Sequence, residues 1–171
     1  MSEGEDIQVE GEQKFVFSLI GDSNIQRNLV DYNCGTREEM RSAQVIPCTS
    51  MSTFSGCLPK VRPESTILIL SCLSNFLRDS ESATDPGVRF TAVFEKFRSI
   101  LFPFVSSNPD LYILVAPPQY STTPQWYSSS IGIAIQLLRS MIIETSGFVN
   151  LLLLPAFPNQ VLLISLLSKR L

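Results

Sequence analysis

Lys14-Phe15-Val16-Phe17-Ser18-Leu19-Ile20-Gly21-Asp22-Ser23-Asn24 is the stretch on which the fold turns. Its first seven residues are almost continuously apolar, then the pattern breaks at a glycine and three small polar residues. A strand with one wet face alternates apolar and polar side chains, whereas a strand covered on both faces reads as one apolar run. Lys14 to Ile20 is therefore expected to be an inner strand, closed by a sharp turn that Gly21 permits. Ser23 then stands where a helix over Asn24 to Tyr32 would begin, and its hydroxyl is suited to capping that helix.

Four further segments read as strands: Ala43 to Cys48, Thr66 to Ser71, Leu111 to Ala116 and Asn150 to Leu154. Between them lie amphipathic stretches. Ser52 to Val61 is interrupted by Gly56 and Pro59. Val88 to Val105 carries Val93, Phe94, Phe97, Ile100, Leu101 and Phe104 at three- and four-residue spacings, which makes one apolar face; Pro103 is expected to bend or end it. Pro124 to Glu144 repeats the pattern with Ile131, Ile135, Leu138 and Ile142, and Pro124 suits a first helical turn. Strands alternating with helices predict βαβ crossovers and a doubly wound parallel sheet.

The 171 residues fit one domain, with 44% hydrophobic residues for a core and 17% charged ones. Residues 1–13 are acidic and polar and read as a disordered tail; residues 14–171 form the domain. The net charge of −3 comes without clustered Lys and Arg, so no nucleic-acid surface is expected. The N-terminal residues lack the basic start and apolar core of an export signal, which points to a cytoplasmic protein. The longest apolar run, Phe148 to Leu167, is broken by Pro155, Pro158, Asn159 and Gln160, so no membrane span is read there. The four cysteines, Cys34, Cys48, Cys57 and Cys72, show no Cys-x-x-Cys spacing, and the chain has no histidine. Reduced, mostly buried thiols are expected rather than a metal site, and nothing calls for a cofactor.

In doubly wound sheets ligands bind beyond the carboxyl ends of the strands. After the first strand stands Ser23, at a helix start whose free N–H groups favour a developing oxyanion; a Gly-Asp-Ser turn is also a common helix cap. After the third comes Asn75, either an amide donor to the same oxyanion or a polar loop residue. After the fourth come Pro117, Pro118, Gln119 and Tyr120, then Trp126 and Tyr127. These two aromatics either wall a pocket for an apolar acyl or aromatic group or pack at a helix start.

A strand ending in Gly21-Asp22-Ser23-Asn24, with Asn75 after the third strand, resembles the SGNH (GDSL-type) hydrolase superfamily over roughly Phe15 to Phe157. The segments Val115-Ala116-Pro117-Pro118 and Trp126-Tyr127 resemble a subgroup of small SGNH-like domains associated with viruses and retroelements. The resemblance implies a three-layer α/β/α sandwich with a five-stranded parallel, flavodoxin-like sheet, and hydrolysis of a carboxylic ester. Ser23 would be the nucleophile, donating its own N–H to the oxyanion. Asn75 would be a second donor, and a glycine after the second strand a third, with Gly56 the nearest candidate. Asp22 would support the turn, and Tyr120, Trp126 and Tyr127 would border a small ester, acyl or glycan ligand.

The family takes its general base from an Asp-x-x-His element after the last strand. Here Val161 to Leu171 contains neither Asp nor His. A serine hydroxyl needs a neighbouring base to be a useful nucleophile, so the chain is expected to be inactive or nearly so. Three explanations stay open: a C-terminus divergent or truncated from about residue 160, a pseudoenzyme that binds or assembles without catalysis, or a substitute base, for which Lys169 and Glu144 are the nearest residues. Val161 to Leu167 is apolar nearly throughout and must dock on the domain or self-associate.

Overall fold

A computed structural model describes residues 16–22, 44–80, 85–119 and 125–154 of the chain. It is an α/β fold with one five-stranded, all-parallel sheet. The strands are β1 (Phe17–Gly21), β2 (Gln44–Pro47), β3 (Ile67–Ser71), β4 (Tyr112–Val115) and β5 (Leu151–Leu153). They lie in the order β2-β1-β3-β4-β5, the flavodoxin-like order. Each of the five apolar runs supplies one strand, one or two residues shorter than the run, with β1 shifted to end at Gly21.

Burial follows position in the sheet. Every residue of β1 and of β3 is buried. Ile20, Leu68 and Leu70 belong to the core beneath the helices, while Phe17, Leu19, Ile67 and Ile69 are as deeply buried outside it. Successive side chains of a strand point to opposite faces, so both faces of the sheet centre are covered, as a three-layer fold requires. The edge strand β5 is freer, with Leu152 exposed.

Four described helices connect the strands. These are α1 (Met51–Cys57), extended by a 3-10 turn over Leu58–Lys60, α2 (Leu73–Arg78), α3 (Pro86–Ser107) and α4 (Gln125–Leu138), which runs on as a π turn over Arg139–Glu144. Three of them meet through one phenylalanine each. Phe54 of α1 stacks on Phe97 of α3 with ring centroids 5.1 Å apart, and Phe76 of α2 meets Phe54 edge-on at 5.7 Å.

The helix ends have local causes. Asp85 caps α3 by accepting from the Gly87 N–H at 2.8 Å, and Pro86 fills the first helical position. Pro103 does not end α3, which continues to Ser107. Pro103 is exposed while Leu101 and Val105 are buried, so the lost backbone bond falls on the solvent side and packing holds the rest. The π turn after α4 stops before Gly147, whose φ of 68° is one that glycine adopts at little cost.

The expected helix over Asn24 to Tyr32, the N-terminal tail and the segment after residue 154 lie outside the described residues. No described helix is long and apolar enough to cross a membrane.

Candidate functional site

The carboxyl ends of β1, β3 and β4 converge because the ladder runs one residue past each strand. The Asp22 N–H donates to the Ser71 carbonyl at 3.2 Å, Cys48 N–H to Gly21 at 2.8 Å, and Ala116 N–H to Leu70 at 2.8 Å. These bonds hold Asp22 in the middle of the sheet edge with 4% of its surface exposed. Ser23 follows directly in the chain; it, Asn24 and Tyr120 lie outside the described residues.

Asn75 is not on a loop. It is the third residue of α2, which leaves the end of β3. Its carbonyl Oδ1 accepts from an Nη of Arg78, one helical turn on. That bond fixes the amide through its oxygen. Arg78 was not singled out from the sequence, although its three-residue offset from Asn75 was there to read. Its Nε is buried without a hydrogen-bond partner among the described residues.

Tyr127 belongs to the wall rather than to an open pocket. It is fully buried, and its hydroxyl donates to the Gln119 carbonyl at 2.8 Å. The Gln119 N–H in turn donates to Ser74 Oγ at 2.8 Å, and Ser74 hydrogen-bonds the phenol. Burial pushes the Tyr127 hydroxyl above its ordinary pKa, with Ser74 and Arg78 opposing and Asp22 reinforcing the rise. The loop after β4, with Pro117 and Pro118 buried, is thus clamped onto α2. Trp126 faces α3, with Phe90 at 6.1 Å and the Arg89 guanidinium 4.1 Å from its ring centroid.

Tyr127→Phe removes the donor to Gln119 and the acceptor of Ser74 while keeping the ring. A loss of about 1–2 kcal/mol is expected in urea unfolding. An unchanged midpoint would mean that the clamp does not hold the loop.

Gly56 is the sixth residue of α1 and exposed. Only the first four N–H groups of a helix lack an intrahelical partner, so the Gly56 N–H is committed to the helix rather than offered to a ligand. Glu144 ends the π turn that leads into β5. It therefore lies toward the amino edge of the sheet, opposite the carboxyl edge that holds Asp22. Lys169 lies outside the described residues.

Three thiols gather at the same edge as Asp22. Cys48 and Cys72 each follow the last residue of a strand, and Cys57 closes α1; all are free and buried. Cys48 and Cys57 both hydrogen-bond Thr53, at its hydroxyl and its carbonyl respectively. Among the described residues no group of three His, Cys, Asp or Glu side chains is arranged to hold a metal ion. A cavity of about 440 Å³ opens between α1, α2 and α3, bordered by Met51, Phe76, Asp79, Arg89 and Lys96.

Neither a protein-family model nor a curated protein matches the chain.

Proposed function

We propose that the chain is an SGNH-hydrolase-like protein, built on the plan of a GDSL-type serine esterase, that hydrolyses carboxylic esters little or not at all. The observation that carries the proposal is Asn75, anchored through Oδ1 by Arg78 at the edge where β1 delivers Asp22 and Ser23. In this reading the Ser23 hydroxyl faces the ester carbonyl, and the Ser23 N–H and Asn75 Nδ2 donate to its developing oxyanion. Asp22 holds the turn from beneath.

What is missing is a proton acceptor. With no histidine in the sequence, the serine has no general base, whose help is worth about 10²–10⁴-fold. The oxyanion donors and binding alone leave residual catalysis. In a short-chain nitrophenyl ester assay the expected result is hydrolysis close to background. Free imidazole should raise it in the native chain but not in Ser23→Ala or Asn75→Ala, after allowing for hydrolysis by imidazole itself. Strong turnover without imidazole that vanishes in Ser23→Ala would overturn the claim of inactivity. Equal response of all three proteins would overturn the site.

A second reading is a binding or assembly module without chemistry, in a virus- or retroelement-related setting. The cavity bordered by Phe76, Arg89 and Lys96 favours it, since its size is that of a small-ligand pocket. Binding of an acyl or glycan ligand that survives Ser23→Ala and is lost on Ala92→Trp, which fills that cavity, would decide for this reading.

A further inference from the structure

The three thiols at the carboxyl edge are more than packing. They come from three separate elements, yet two of them meet at one residue. Cys48 Sγ lies 3.7 Å from Thr53 Oγ1 and 3.5 Å from the Ser50 carbonyl. Cys57 Sγ donates to the Thr53 carbonyl at 3.3 Å and to Pro47 at 3.5 Å. One residue, Thr53, therefore touches both Cys48 and Cys57, by its hydroxyl and its carbonyl. Cys72 is fully buried at the same edge.

From this arrangement we infer that Cys48 is a peroxide-reactive thiol that Cys57 resolves into a disulfide, with Cys72 not a partner in the bond. The inference is independent of the ester reading.

The roles follow from geometry. β1 lies between β2 and β3. Neighbouring strands are about 4.8 Å apart, so Cys48 and Cys72, held level with Asp22 by the ladder, have backbones separated by roughly twice that. A disulfide tolerates Cα separations up to about 7 Å, which bars a Cys48–Cys72 bond without breaking the sheet edge. Cys57 is under no such restraint. It sits at the end of α1, nine residues along from Cys48 (57 − 48) and one helical turn after Thr53.

The electrostatics agree. The Cys72, Thr53 and Cys57 hydrogen bonds bring the Cys48 pKa down to about 6 against the opposing effect of burial. Burial holds Cys57 up at about 11 and Cys72 well above the usual thiol value. One thiolate thus stands among thiols that keep their protons. Cys48 is 1% exposed, but Thr53, whose hydroxyl covers it, is exposed. Hydrogen peroxide is close to water in size, so a shift of the Thr53 side chain would open a way to the sulfur.

The oxidant is hydrogen peroxide or an organic hydroperoxide. The Cys48 thiolate attacks one peroxide oxygen; the S–O bond forms, the O–O bond breaks, and the released oxyanion takes a proton to leave as water or alcohol. Cys48 is then a sulfenic acid. Cys57 sulfur attacks Cys48 sulfur; the S–S bond forms, the S–O bond breaks, and hydroxide leaves as water with the Cys57 proton. Two thiols and one hydrogen peroxide become one disulfide and two waters; an organic hydroperoxide gives one alcohol and one water instead. The Cys48 N–H bonds the Gly21 carbonyl at 2.8 Å, so the bond would form one hydrogen bond from the turn that leads to Ser23.

Trypsin distinguishes the partners. Cleavage after Arg41 and Lys60 leaves Cys48 and Cys57 on one peptide, 42–60, while Cys72 falls on peptide 61–78. The full-length chain is treated with hydrogen peroxide in native buffer, then denatured, alkylated and digested. The expected result is peptide 42–60 without alkyl groups and lighter by two hydrogens, with Cys72 fully alkylated. In Cys57→Ser, Cys48 should instead be trapped by dimedone as sulfenic acid, and in Cys48→Ser neither product should form. The initial rate should be about ten-fold lower at pH 5 than at pH 7, following a thiolate that forms near pH 6. In denaturant the preference for Cys48 should vanish. A peptide 42–60 that keeps two alkyl groups, a crosslink to peptide 61–78, or the same pattern in native and denatured chains would overturn the inference.

Discussion

Phe97→Ala should destabilise the domain by about 3–5 kcal/mol, measured by urea unfolding against the native chain. The ring is fully buried in the middle of α3. It stacks on Phe54 at 5.1 Å with an interplanar angle of 25°, and lies tilted against Phe76 at 6.3 Å. Removing it takes away the surface on which α1 and α2 both rest. Close-packed interiors relax only partly around such a gap, so the cost includes a cavity as well as lost transfer energy. A domain of this kind has about 5–15 kcal/mol in total, so much of the fold's margin would go. The comparison is Phe102→Ala on the same helix. Phe102 is half-buried at the margin of the core, with Phe148 as its ring contact among the described residues, edge-on at 5.3 Å, and its loss should cost distinctly less. Equal costs at the two positions would mean that the ring trio is not the centre of the core.

The same substitution bears on the candidate site. Phe76 and Asn75 are neighbours on α2, one facing the ring trio and the other Arg78. A loosened trio frees α2 to shift, and Asn75 with it. Core packing and the position of the amide are thus coupled through a helix of six residues.

That helix is also where the sequence was hardest to read. Periodicity needs several turns to emerge, and Leu73 to Arg78 has fewer than two. The stretch after Ser71 reads as loop, and Asn75 with it. The five strands were legible because continuous apolar runs between polar breaks have one simple explanation in an α/β chain. Their ends were less so; the first run begins at Lys14, while β1 begins at Phe17. The start of α3 was in plain sight as Asp85-Pro86, a cap followed by a proline, but the apolar pattern pulled the expected start to Val88. The choice between lining and packing for Tyr127 could not be made from spacing, because it depends on Gln119 and Ser74, which approach from other elements. The thiols illustrate the same limit. Cys48, Cys57 and Cys72 are unremarkable in spacing, and only the strand order brings them to one edge.

Asn150→Asp should cost roughly 3–5 kcal/mol at pH 7, and the cost should shrink as the pH falls toward 4. Asn150 precedes β5 and is 5% exposed. Its Nδ2 donates to two backbone carbonyls, Asn108 and Leu111, at 3.0 Å each, while the Asn150 backbone carbonyl accepts from the Ile113 N–H at 2.8 Å. The side chain thus ties the turn between α3 and β4 to the start of β5. The replacement keeps the shape and removes both donors. It sets a carboxylate against two carbonyl oxygens, where burial and repulsion both favour its neutral form. Its folded pKa is therefore raised above the unfolded value of about 4. For a raised pKa, folding is undisturbed by ionisation below the unfolded value and loses free energy as the pH rises through the folded one. Asn150→Ala should differ in kind. It leaves the two carbonyls without this donor, at about 1–3 kcal/mol, and the cost should not depend on pH. If Asn150→Asp gives the same loss at pH 4 and pH 7, no charge is being buried and the assignment of Nδ2 to the two carbonyls is wrong. If both variants match the native chain, the turn holds without its tie, and the stability of this edge must come from the apolar contacts of Leu111 and Leu151, which flank it in the core.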